Sequence, residues 1–486
     1  MTTTKISPYA SATSMIEALR NREISAVELL ELHLERIEKY NPTINVIVTK
    51  DFENARKTAK AADDALTRGD EGAMLGLPIT IKDCILVTDL VATAGVEMWI
   101  NYVPKEDAPL VASVRDAGAV IMGKTNLPVM AMDWQAYNPL FGRTNNPWDL
   151  GRTPGGSTGG AAAVATGMTP LEWGNDLGGS IRVPAAFCGI FGHRPSETAI
   201  PKTGGFPESD LPNPSSVMSV NGPLARTAED LELAFDVVAG PEAIEDIAWR
   251  LEIAPARHQN LVDYRVAILP RVPWLETDDE TLAVSEELAS KLSKAGATVK
   301  EAQPEIFGDL RRHHQLYLSL LAALYTAGST EEERMISSEF NEMPHGSDDF
   351  DEAFEHGVNA NPFDVSVLLH EREVFRRAYV DFFKDWDVLL APNHLGPAFP
   401  HTEAPRKERT LEVNGKQVAF GLGLVYPGLC NLTGMPGTAF PVGFNSSGIP
   451  LSLQAIGPYL EDHTPMRFTG LVAQEFGGFQ PPPGFE

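Results

Sequence analysis

Apolar positions along the chain follow two periods. Val27, Leu30, Leu34 and Ile37 lie three or four residues apart, the stripe of a half-buried helix over 25–40. The same period predicts helices over 11–21, 53–68, 110–117, 280–294, 313–326, 365–384 and 464–475. Short β-branched or continuous apolar runs predict strands at 78–82, 119–122, 266–269, 388–390, 438–442 and 452–456. This alternation predicts an α/β fold: one large domain with a central mixed β-sheet flanked by helices on both faces. No internal repeat interrupts it.

Between 329 and 363 the pattern loses its period, and this stretch reads as the least regular part of the chain. Asp348, Asp349, Asp351 and Glu352 lack the glycine turn and distal glutamate of a calcium loop, so they read as a solvated acidic surface. Long irregular segments often cover a site, and this one is placed over the cleft on that ground.

Residues 153–195 break the pattern differently. Gly155-Gly156-Ser157-Thr158-Gly159-Gly160 and Gly178-Gly179-Ser180 each present a serine within a glycine cluster, separated by apolar sequence. Neither cluster continues into the Gly-Lys of a phosphate loop, forms GxGxxG, or sets its serine in GxSxG. Upstream, Pro78-Ile79-Thr80-Ile81 reads as a buried strand ending at Lys82. A partly desolvated lysine has a lowered pKa and can serve as base to a serine. The plainer alternative is a Lys82 that pairs with Asp83 or reaches solvent.

Taken together, GLPITIKD, PGGSTGG and GNDLGGSIRVPAAFCG resemble the amidase signature family. The likeness extends over nearly the whole chain, through GAVIMGKTNLPVMAM, NPLFGRTNNPW, NLTGMPGTAFPVGF and GIPLSLQAIGPYLED. It implies one amidase domain over 1–486, a signature core at about 75–195 and a variable, substrate-facing region at about 300–375. Ser180 is then the nucleophile, Ser157 the bridging serine and Lys82 the base. The resemblance also places a cis peptide at Gly156–Ser157 and an oxyanion hole at the N–H groups of Leu177, Gly178, Gly179 and Ser180. Gly156, Thr158, Asp176 and Arg182 become supporting residues, the last two as a buried pair bracing the turn. Ser157 and Ser180 stand about one residue closer than the family pattern, with the gap just after Gly160. If that gap shifts the loop, Thr158 is the nearest substitute hydroxyl. Met130, Met132, Trp134 and the 313–326 helix are candidates for a substrate pocket, with core packing as the alternative. In that helix His313 and His314 point different ways, so one of them can face the cleft.

Composition limits the remaining classes. A formal net charge of −27 over 486 residues opposes nonspecific contact with nucleic acid or anionic membranes. The chain has no 18-residue apolar run and no secretory pattern in MTTTKISPYASATS. Cys84, Cys188 and Cys430 are few and widely spaced, as for reduced thiols of a cytoplasmic protein, with Cys84 near the site and Cys188 buried. No HExxH, CxxC or paired His/Cys spacing supports a metal, and no cofactor is expected. The expectation is a monomeric or homodimeric hydrolase of small linear amides, extending to anilides, carbamates and esters. The alternative is the glutaminase subunit of a tRNA-dependent amidotransferase, which shares the same motifs.

Overall fold

A computed structural model describes residues 6–208, 217–242, 244–326 and 343–485. Within them the strands are β1 Ile47–Lys50, β2 Pro78–Lys82, β3 Val120–Thr125, β4 Tyr137–Asn138, β5 Gly142–Arg143, β6 Leu171–Asp176, β7 Phe191–Arg194, β8 Val220–Ala225, β9 Arg265–Ile268, β10 Thr298–Glu301, β11 Val388–Pro392, β12 Thr410–Val413, β13 Lys416–Ala419, β14 Gly437–Phe444 and β15 Pro450–Ile456. Eleven of these form one sheet in the order β1-β3-β2-β6-β8-β7-β14-β15-β11-β9-β10. β2 runs parallel to β3 and β6, and β9 runs parallel to β10 and β11. The other neighbours are antiparallel, so the sheet is mixed as the alternation predicts.

The helices are α1 Ala12–Arg20, α2 Ala26–Ile44, α3 Phe52–Arg68, α4 Pro109–Asp116, α5 Ala161–Ala165, α6 Arg182–Cys188, α7 Ala228–Val238, α8 Asp279–Lys294, α9 Arg311–Thr326, α10 Asp348–Val358, α11 Pro362–Phe382, α12 Val425–Asn431 and α13 His463–Phe476. They cover both faces. Along β11, Val388 and Leu390 join one apolar core with α1–α4, α7 and α13, while Leu389 and Ala391 join another with α9–α12. That split is the strand period of two, which sends successive side chains to opposite faces. No described helix is long and apolar enough to cross a membrane.

Two expectations change. The second helix runs past Tyr40 to Ile44 with Pro42 inside its last turn, because Asn45 takes the left-handed cap (φ 57°) beyond it. The acidic stretch after 347 is not irregular: Asp348, Asp349 and Asp351 occupy the first turn of α10, where carboxylates favour a helix N-terminus. Phe350 and Phe354 supply its buried face. The rest of the irregular reading, at 329–342, lies outside the described residues.

The carboxyl-terminal blocks return to the signature region. β14 pairs with β7 through Gly437↔Arg194 and Thr438↔His193, so residues more than 240 positions apart in the chain close one sheet.

Candidate active site

β2 and β6 are parallel neighbours, with Thr80 opposite Glu172 and Ile81 opposite Trp173. Their carboxyl ends therefore deliver Lys82 and Asn175 to the same edge of the sheet, the edge where open α/β sheets gather their ligands. Lys82 is fully buried, and its Nζ lies 2.6 Å from Ser157 Oγ and 2.6 Å from Asn175 Oδ1. Burial pushes the Lys82 ammonium down to about 8, against the opposing pull of Cys84, Asp176, Glu172 and Asp83. The plainer pairing with Asp83 does not form: Asp83 Oδ2 accepts instead from the Thr93 N–H and hydroxyl.

Ser157 reaches Lys82 from the first glycine cluster, and the Gly156–Ser157 peptide is cis. Gly156 has no room for a side chain, since a Cβ would sit 2.3 Å from the Asp133 carbonyl oxygen. Ser180 follows β6 through the turn Leu177-Gly178-Gly179, which bends at Gly179 (φ 92°) before α6 begins. The Thr158 N–H donates to the Ser180 carbonyl at 3.2 Å and ties the two serine loops together. Ser157 and Ser180 line one cavity of about 380 Å³. No hydrogen bond joins their hydroxyls in the described residues, and Ser180 Oγ is left open to the cavity.

The turn is held from behind. Asp176, fully buried, accepts from Arg182 Nη2 at 3.1 Å, Arg182 Nε at 3.1 Å and Asn431 Nδ2 at 2.9 Å. The guanidiniums of Arg182 and Arg194 hold its carboxyl well below the usual range despite burial. Arg182 spends its other donors on Gln454 Oε1, Asn431 Oδ1 and the Pro427 carbonyl. The bracing role expected of this pair matches the geometry.

One part of the expected oxyanion hole is corrected. The Gly179 N–H donates to Asp176 Oδ1 at 2.9 Å, so it belongs to the brace. The N–H groups of Leu177, Gly178 and Ser180 have no acceptor among the described residues. Two side chains turn the matching carbonyls away: Tyr317 hydroxyl donates to the Leu177 oxygen at 2.8 Å, and Trp134 Nε1 to the Gly178 oxygen at 3.3 Å. Tyr317 lies on α9 and carries no local motif; a lone tyrosine inside an apolar helix is its only trace in the sequence.

The amidase family model matches residues 28–465. The chain belongs to the amidase signature family. It is 32% identical to an indoleacetamide hydrolase of Bradyrhizobium diazoefficiens, over 93% of this chain and 84% of that protein. It is 30% identical to a glutamyl-tRNA(Gln) amidotransferase subunit of Coxiella burnetii, over 94% of this chain and 95% of that one. Among solved structures, a chain of an inhibitor-bound vestigial protein complex, described as revealing the evolutionary origins of an s-triazine catabolic enzyme, superposes with a TM-score of 0.81 at 26% identity, covering 97% and 100% of the two chains. A bacterial aryl acylamidase of the same family also gives 0.81, at 23% identity and 96% coverage of each chain, which speaks for the fold alone.

In this amidase signature protein the residues after Gly160 pass straight into α5. Gly160 caps the five-residue helix directly, and its bare α-carbon faces the Glu172 carboxylate, which a Cβ would meet at 2.4 Å. Ser157 still meets Lys82. The Thr158 hydroxyl is buried without a partner beside Gly174, on which a Cβ would touch it, so it does not take Ser157's place.

Met130, Met132 and Trp134 line the cavity, as do Leu321, Leu324 and Tyr325 from α9. His313 and His314 do not: His313 packs edge-on to Phe307 and Phe375, and His314 edge-on to Phe350. Burial holds both imidazoles below their ordinary pKa. The segment after 342 contributes Met343, His345 and Phe354 to the wall, in line with its placement over the cleft. Cys84 does sit near the site, its sulfur accepting from Asn175 Nδ2 at 3.4 Å, and Cys188 is buried. Sequence reasoning does not single out Asn175, although it directly precedes Asp176 at the end of a strand. Among the described residues no group of three or more His, Cys, Asp and Glu side chains is arranged to hold a metal ion.

Proposed function

We propose that this amidase signature hydrolase cleaves the carbon–nitrogen bond of small, largely apolar linear amides, anilides included, through an acyl-enzyme on Ser180. The observation that carries the reading is Lys82 Nζ at 2.6 Å from Ser157 Oγ, in the cavity that Ser180 also lines. Neutral Lys82 takes the Ser157 proton as Ser157 takes that of Ser180, and Ser180 Oγ attacks the amide carbonyl. The developing oxyanion accepts from the N–H groups of Leu177, Gly178 and Ser180, beside the amino end of α6. The proton returns through Ser157 to the leaving nitrogen, and water then releases the acid by the reverse relay. Esters and carbamates suit the same acylation step.

The second reading, a glutaminase subunit, is favoured by the relatives named as amidotransferase subunits. The cavity speaks against it. A glutamine substrate brings an α-ammonium, and the acidic side chain on the described wall is Asp133. Its carboxylate is already engaged by the Trp134 N–H and by Arg409. The remaining wall carries the apolar side chains Met130, Met132, Leu321, Leu324, Phe420 and Leu424 beside polar ones that include Lys202 and Arg406, and walls with a large apolar share suit largely apolar ligands.

The test is a panel of aryl anilides, primary amides, carbamates, esters and glutamine, given to the purified chain alone with intact-mass detection. The expected result is turnover of apolar amides and an acyl adduct that Ser180→Ala lacks. Glutamine hydrolysis without turnover of any apolar amide would favour the second reading. An acyl adduct that persists in Ser180→Ala would remove Ser180 as the nucleophile.

A further inference from the structure

We infer that Asn175 is a positioning residue for the base: its side-chain amide fixes where the Lys82 lone pair points and keeps an uncharged acceptor at the ammonium. The inference rests on the proposed Ser-Ser-Lys relay and adds a residue to it.

Lys82 Nζ has two side-chain partners, Ser157 Oγ and Asn175 Oδ1, each at 2.6 Å. The amide cannot turn over freely, because its nitrogen donates to Cys84 Sγ at 3.4 Å while its oxygen takes the Lys82 donor. The backbone seats it too. Asn175 lies in β6 opposite Asn221 of β8, one residue beyond the position facing Lys82 across the parallel β2–β6 pair. It is 8% exposed, at the cavity wall.

The chemistry follows from counting protons. An ammonium has three donors and no lone pair; a neutral amine has two donors and one lone pair. The oxygen of Asn175 can only accept, so one N–H of the neutral amine stays pointed at it. The lone pair is then free for the remaining close partner, the Ser157 hydroxyl, whose proton must move. Without that anchor the amine rotates about its last bond, and the lone pair is aligned with Ser157 for only part of the time. The second consequence is electrostatic. A carboxylate at this place would hold the proton on Lys82, whereas an amide accepts a hydrogen bond without adding charge. The other groups facing Lys82 are Cys84, Asp176, Glu172 and Asp83, of which Asp176 is compensated by Arg182 and Arg194. Burial that lowers the Lys82 pKa to about 8 accords with a neutral neighbour.

Two substitutions test this in the full-length enzyme, on the best amide from the panel. Asn175→Asp keeps the size of the side chain and adds a charge: the apparent pKa of kcat/KM should rise by at least about one unit, with the alkaline plateau within about tenfold of wild type. Asn175→Leu removes the acceptor: the plateau kcat should fall at least about tenfold while KM stays within about threefold. Circular dichroism and thermal melts establish that each variant is folded, and if the leucine variant does not fold the aspartate variant alone decides. A folded Asn175→Asp with an unshifted profile overturns the inference, and so does a folded Asn175→Leu with a wild-type plateau. Failure of the underlying relay looks different, since Lys82→Met would then retain wild-type turnover.

Discussion

Two lysines lie one register step apart on neighbouring strands, and they separate what burial does from what a site does. Across the parallel β2–β3 pair, Lys124 stands opposite Ile81 and Lys82 opposite Thr125. Both side chains are fully buried, and burial pushes both ammoniums down to about 8. Their partners differ. Lys124 Nζ donates to the carbonyl oxygens of Ile85 at 2.7 Å and Val91 at 3.2 Å, which have no proton to give up. Lys82 faces a hydroxyl, which does. A lowered pKa makes a lysine available as a base, and a partner with a transferable proton gives it something to do. A perturbed pKa taken alone would nominate both residues, so geometry has to choose.

The strongest attempt to break the comparison is Lys82→Met. Removing one member of a unit that acts together should lower kcat/KM by roughly 10⁴-fold, about 5.5 kcal/mol of transition-state stabilisation. The fold should survive, since Ser157 and Asn175 face a cavity that water can enter and a buried ammonium has been removed. In the wild-type enzyme, kcat/KM should climb with pH through about 8 and level off above it, because the base must be neutral. A flat profile from pH 6 to 9, with chemistry rate-limiting, would count against Lys82.

A smaller effect is expected from Asp176→Ala, which acts on the Lys82 side of the comparison only. It leaves the buried Arg182 without its carboxylate and frees the N–H groups of Gly179 and Ile181 from their acceptor. Breaking such a buried pair costs about 3–5 kcal/mol, read as a fall in denaturation midpoint at unchanged slope. A loss below about 1 kcal/mol would mean the turn is held by its glycines and by Tyr317 and Trp134 rather than by this brace.

What is legible in the sequence depends on the range of each contact. Lys82, Ser157, Ser180, Asp176 and Arg182 are legible because each sits in a dense local motif. Helices such as α1 and α8 are legible from their period, and the structure adds the caps, Ser11 and Asp278. Asn175 is hidden because its partner lies 93 residues away and the pairing is set by the β2–β6 register, which no local pattern encodes. Tyr317, 140 residues from Leu177, is hidden for the same reason. The α10 helix escapes the pattern because its acidic first turn reads only as solvated surface, and Asp348, Asp351 and Glu352 are indeed exposed. Asp351 also accepts from the His345 ring at 3.0 Å and from its backbone N–H, seating a cavity-lining residue. The Gly179 N–H is misassigned because the motif marks the turn without saying which amides the aspartate takes.

The mildest test falls on the other lysine. Lys124→Met should leave kcat within about threefold, since Lys124 touches neither serine and does not line the cavity. Its stability effect has two opposing parts. The Ile85 and Val91 carbonyls lose their donor, at about 1–3 kcal/mol for each that stays buried and unpaired, while the desolvation of an ammonium is relieved. The pH dependence separates the two. A lysine whose folded pKa is about 8 against an unfolded value near 10.4 is more protonated in the unfolded chain between those values, so stability rises with pH across that window. From pH 7.5 to 9.5 each such lysine contributes roughly 2 kcal/mol to that rise. Denaturant titrations at the two pH values should therefore show the rise reduced by about that amount in Lys124→Met, and by a similar amount in Lys82→Met. Activity should tell the two variants apart where stability does not. If Lys124→Met loses turnover as deeply as Lys82→Met while remaining folded, the distinction between carbonyl and hydroxyl partners fails, and the parallel strands carry one coupled pair of bases.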